Sequence, residues 1–95
     1  MKQTLKLYIS GFTPIAKLAI KNLKVICLRP EVRDVYDMEI INLRTNPDMA
    51  EQLNILATPL LITSSTLSIC RIIGDLSNHD RVIAILDLCE PYDNE

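Results

Sequence analysis

The chain has almost no glycine. Gly11 and Gly74 are the only two in 95 residues, too few for a glycine-rich loop that wraps a nucleotide phosphate. There is one histidine, His79, and the three cysteines, Cys27, Cys70 and Cys89, form no CxxC pair. Redox and zinc motifs need closely spaced thiols. Three scattered ones read instead as reduced, mostly buried thiols of a cytosolic protein. No apolar run approaches the roughly 18 residues of a membrane span. Met1 to Thr4 lead directly into a strand pattern without a signal-peptide layout. These absences lead us to expect no cofactor, no metal, no membrane partner and a cytoplasmic location.

Acidic residues are also missing from one end. Residues 1–30 hold Lys2, Lys6, Lys17, Lys21, Lys24 and Arg29 and no acid, whereas residues 31–95 hold four arginines and all twelve acids, so the two parts carry about +6 and −8. With a net charge of only −2 there is no overall basic excess of the kind nucleic-acid binding asks for, and the polarity suits a protein partner that meets one face. A hydrophobic fraction of 48% over this length fits one globular domain spanning 1–95.

The hydrophobic patterning predicts alternating strands and helices. Leu5 to Ile9 alternates as a first strand. Thr13-Pro14 then supplies a hydroxyl cap and a first-turn proline. The helix that follows, to about Leu28, buries Ala16, Ala19, Ile20, Leu23, Ile26 and Cys27 at three- and four-residue spacing. Lys17, Lys21 and Lys24 share its solvent side, either as a solvated face or as a docking surface. Arg29-Pro30 closes the helix, 31–35 reads as a charged loop, and Tyr36 to Leu43 as a second strand. Asn46-Pro47 opens a short helix to about Leu56. Leu60 to Thr63 and Leu67 to Ile73 form two more strands, with Leu67, Ile69 and Ile73 expected to face the core. Ser77, with Asp80 three residues on, reads as a capping box for a last helix to about Glu90.

Thr58-Pro59 stands where the third strand begins. Proline cannot continue a helix, it pushes Thr58 towards extended geometry, and X-Pro is the one bond where cis is cheap. An Ala-Thr-Pro entry to a central strand, often with the proline cis, is what thioredoxin-like folds use. The order β-α-β-α-β-β-α is that fold, an α/β class, with strands one to three expected parallel and the fourth returning as a hairpin. The chemistry of its enzymes is absent, however. Their reactive cysteine sits before the first helix, where the helix N-terminus lowers its pKa, and this chain reads Ser10-Gly11-Phe12-Thr13-Pro14 there. Ser10 has no base nearby in the sequence, and His79 lies in a capping turn. Asp75 and Asp80 suit capping better than metal binding. A binding module, not an enzyme, is expected.

Leu5 to Ile9 with Gly11 and Thr13-Pro14, Asn46-Pro47, Ile55 to Leu60, and Arg71-Ile72-Ile73-Gly74-Asp75-Leu76-Ser77 together resemble the KaiB family of circadian-clock proteins. The resemblance implies a non-enzymatic regulator that docks on the ATPase KaiC. The alternative is a sensor-like module signalling to a histidine kinase, since a clock kinase carries a domain of this fold. It also implies two folds, a self-assembling and often tetrameric ground state and a monomeric thioredoxin-like binding state. The family commonly has a proline run where this chain has Ser64-Ser65-Thr66-Leu67-Ser68, a basic residue at Cys70, and a glycine at Ile85. These departures favour the thioredoxin-like monomer, with Thr58-Pro59 cis. Ile15, Ala16 and Leu18 replace usually polar or basic residues, and Glu39 a usual lysine. The expected partner-binding residues are Lys17, Lys21, Lys24, Tyr36, Asp37 and Glu39.

Overall fold

The computed structural model describes residues 3–64 and 69–89, the side chains of Ser64 and Cys89 excepted. Four strands, β1 (Gln3–Ile9), β2 (Tyr36–Asn42), β3 (Leu60–Ser64) and β4 (Ile69–Ile73), form one sheet in the order β2-β1-β3-β4. The helices are α1 (Pro14–Ile26), α2 (Pro30–Arg33), α3 (Pro47–Gln52) and α4 (His79–Cys89). The Thr58-Pro59 bond at the entry to β3 is cis. No helix among the described residues is long and apolar enough to cross a membrane.

The helix α1 forms for the reasons its sequence advertises. Thr13 is extended and its hydroxyl accepts from the Ala16 amide at 3.2 Å, with Pro14 following in the first turn. Ala16, Ala19, Leu23 and Ile26 are buried, and the two alanines let the helix approach the sheet closely. Leu5, Leu7, Ile9 and Leu61 meet it from the strands, and Val82 and Leu86 from α4. Each fully buried aliphatic side chain in this main core contributes about 1.5–3 kcal/mol. The opposite sheet face carries a smaller cluster of Tyr8, Ile41, Leu43, Leu60 and Ile62, joined by Met49, Ala50 and Leu53 around α3.

One expectation of direction fails. β1 and β2 are parallel, but β3 runs antiparallel to β1. The connection through α3 begins and ends at the same end of the sheet, so β3 leaves from the end where β2 finishes. α3 stops at Gln52 instead of Leu56 because Asn54 takes a left-handed conformation, φ 56°.

Other boundaries shift locally. Residues 30–33, expected as loop, form α2, which Pro30 starts and buried Val32 holds to the core. The cap of α4 is Asn78, whose Oδ1 accepts from the Arg81 amide at 3.1 Å. Ser77 instead donates its own amide to Asp75 Oδ1 at 3.0 Å. On β4 the expected parity is reversed. Ile69 and Ile73 are 67% and 65% exposed, and Ile72 packs on the main core; Leu67 lies outside the described residues. Arg71 shares the outer parity, and its guanidinium donates to the carbonyls of Leu53 (2.6 Å) and Asn54 (3.3 Å) at the end of α3. Cys70 is disulfide-bonded and Cys27 is a free thiol, which corrects the expectation of three reduced cysteines.

Candidate protein-binding surface

The loop between β1 and α1 is where redox relatives of this fold keep their thiol. Here it is organised by an amide side chain. Asn42, the last residue of β2, accepts on Oδ1 from the Gly11 and Arg44 amides, both at 3.0 Å. Gly11 has φ 78°, a left-handed conformation that favours glycine, and the Arg44 guanidinium crosses it, with Nε 2.9 Å from where a Cβ would lie. The ordering of this loop thus comes from backbone donors, and the loop holds no thiol.

Of the thiols, Cys27 sits at the C-cap of α1, half-buried. Burial first, and then the negative charge of Asp37, push its pKa above the ordinary value. A thiol tuned in this direction is less nucleophilic than a free one. Among the described residues no cluster of histidine, cysteine and carboxylate side chains could hold a metal ion.

The exposed residues with the clearest arrangement lie on α1. Lys17, Lys21 and Lys24 line one flank, and with Ile20 and Val25 they border a hollow of about 360 Å³. At 100° per residue this is the flank turned away from Asn22, which faces α4. There the Asn22 Nδ2 donates to the Asp75 carbonyl at 2.7 Å and its Oδ1 meets His79 Nε2 at 3.0 Å. None of the three lysines has an ion-pair partner among the described residues. Further apolar side chains, Phe12, Ile15 and Leu18, are 60%, 50% and 42% exposed at the start of the same helix.

The remaining expected binding residues divide. Asp37 is exposed on the edge strand β2, on the same strand face as Glu39, and its charge is felt by Cys27 at the end of α1. Glu39 is exposed, and its charge is felt by Tyr8, whose pKa rises through burial first and this carboxylate second. Glu39 therefore belongs to the sheet face opposite α1. Tyr36 does not reach the surface. It is 4% exposed in the main core, with its hydroxyl donating to the Leu86 carbonyl at 3.5 Å.

Comparison with known proteins agrees with this frame. The KaiB domain family model matches residues 6–88. A circadian clock oscillator protein KaiB from Synechococcus elongatus is 46% identical over 84 residues, covering 88% of this chain and 81% of its own. Among solved structures, the N-terminal domain of Synechococcus elongatus SasA superposes with a TM-score of 0.73 at 20% identity, covering 98% of this chain and 90% of that one. Chloroplastic thioredoxin z reaches 0.76 at 16% identity, covering 92% and 77%. These structural likenesses establish the thioredoxin-like fold. With a family match across most of its length and close relatives that are clock oscillator proteins, this chain belongs to the KaiB family.

Proposed function

We propose that this protein is a non-enzymatic, clock-type regulator that acts as a monomer in the thioredoxin-like arrangement by docking on a KaiC-like ATPase. The observation that carries this reading is the row of Lys17, Lys21 and Lys24 beside an apolar hollow, exposed and without ion-pair partners among the described residues. Three like charges along one helix flank repel one another mildly, so an acidic partner surface gains from neutralising them. The apolar floor adds burial that a purely solvated flank would lack. Tyr36 supports the site from inside by holding β2 to α4, and Glu39 lies away from it. The loop Ser10 to Thr13 has no thiol, and Cys27 is tuned away from reactivity, so the reading assigns no turnover.

Capture of the source organism's KaiC-like ATPase tests it. Reversing Lys17 and Lys21 to glutamate should weaken capture at least tenfold at low salt and leave the circular dichroism unchanged. Affinity that is the same for wild type and variant across a salt series returns the row to plain solvation. Recovery of a histidine kinase instead of an ATPase supports the sensor-like alternative.

A further inference from the structure

The two edges of the sheet are finished differently. Exposed edge strands offer unpaired N–H and C=O groups, and proteins normally blunt them with charge. The edge strand β2 carries two exposed carboxylates, Asp37 and Glu39. The other edge, β4, exposes Ile69 and Ile73, and its one outward cation, Arg71, is drawn onto the carbonyls of Leu53 and Asn54. This edge is not blunted.

Its free ladder groups can be assigned. The Gly74 amide donates to the Pro59 carbonyl at 3.0 Å, which makes Pro59 and Gly74 a hydrogen-bonded position of the antiparallel pair. Hydrogen-bonded and non-hydrogen-bonded positions alternate, so in the observed register Cys70 and Ile72 bond to β3. Ile69, Arg71 and Ile73 turn their N–H and C=O groups outward. Beside this edge a groove of about 320 Å³ runs between β4 and α4, lined by Ile72, Gly74, Val82 and Ile85, with Arg81 on its helix wall. Arg81 has no ion-pair partner among the described residues.

We propose that this edge and groove bind an extended segment of a partner protein by strand addition. The segment pairs with the outward groups of Ile69, Arg71 and Ile73. It lays apolar side chains over Ile69 and Ile73, and on its other face presents an acidic side chain to Arg81. The charges choose this occupant over a second copy of the chain. The antiparallel self-pairing that uses all three outward positions would set Arg71 opposite its own counterpart, and the groove's cation would meet no acid on β4. Backbone bonds then supply affinity and the alternating side chains supply selectivity. This site is separate from the lysine flank, and its test does not involve the ATPase.

The probe is an end-blocked, fluorescein-labelled peptide, Thr-Val-Glu-Val-Thr-Val, titrated by anisotropy and by amide chemical shifts. Saturable binding is expected, with shifts centred on Ile69, Arg71 and Ile73. Arg81→Glu should weaken it at least tenfold, and Arg81→Lys should recover most of the loss. N-methylating alternate peptide amides leaves the protein untouched: one phase should abolish binding and the other should not. Equal binding of both phases, or shifts centred on α1 or β2, overturns the proposal. So does concentration-dependent dimerisation through β4, which would make the occupant a second copy.

Discussion

Asn42 holds two loops at once, and its removal should be felt well beyond its own position. In Asn42→Ala the Gly11 and Arg44 amides lose their shared acceptor. Gly11 is buried, and an unsatisfied buried donor costs about 1–3 kcal/mol. Arg44 is exposed, so water replaces its bond and the loss there is about 0.5 kcal/mol or less. The total is about 2 kcal/mol. For a domain of this size that corresponds to a fall in melting temperature of roughly 8–16 °C. With a urea m-value of about 1–1.5 kcal/mol/M it corresponds to a midpoint shift of about 1.3–2 M. Asn42→Asp keeps an acceptor in the same place and should lose less than half as much near neutral pH. Equilibrium urea unfolding followed by far-ultraviolet circular dichroism measures both variants. If Asn42→Asp falls as far as Asn42→Ala, or if Asn42→Ala loses less than about 0.5 kcal/mol, the shared acceptor is not what holds the loops.

Arg71→Met keeps the aliphatic stem but leaves the Leu53 and Asn54 carbonyls to water; a loss of about 1–2 kcal/mol is expected, with amide exchange around Ile55 speeding up before exchange in β1. Ile85→Gly should cost about 1 kcal/mol in helix propensity, and more from lost half-buried surface, read as a lower thermal midpoint; an unchanged midpoint would mean α4 draws no strength from this position. Cys27 should react slowly with Ellman's reagent at pH 8, and Asp37→Asn should accelerate it only partly, because burial outranks the carboxylate among the causes of its raised pKa. The linkage follows in sign. A pKa raised on folding, from a free value of 9.0, gives stability that is complete below that value and lost as pH rises through the folded one, so wild type should lose more stability between pH 8 and pH 10 than Cys27→Ala.

How much could be read in advance depended on how local the determining physics is. The α1 stripe and its Thr13-Pro14 start were legible because period, cap and proline all act within one helix. The order of elements and the Thr58-Pro59 entry to β3 were legible for the same reason. The direction of β3 was not, because it is set by pairing with β1, more than fifty residues away in the chain. Nor was the stop of α3, which depends on the left-handed Asn54 and on Arg71 reaching over from β4, a contact between residues 17 and 18 apart. The choice of Asn78 over Ser77 as the cap was open in the sequence, since both are good capping residues; Leu76, at φ 62°, sets how the chain arrives. Tyr36 could have been excluded from the surface by parity alone. It shares a strand face with Met38 and Ile40, opposite Asp37 and Glu39. The same parity marks Asn42 as a polar residue on the core-facing side, which is the signal that would have found its double acceptor role.

The uneven cover of the sheet has a consequence for motion. The main core joins three helices to the sheet, while the small cluster on the other face depends on α3, which has no buried residue of its own and no side-chain cap. Stability within a domain is distributed according to such contacts, and segments with few of them open on their own. α3 is therefore the unit that should open first and most often, with β3 staying in place because Leu61 is held from the far side. Native-state hydrogen exchange should separate the two. The amides of Met49 and Leu53 would exchange through a local opening of low free energy, insensitive to urea, while those of Leu7 and Leu61 would wait for the whole domain to unfold.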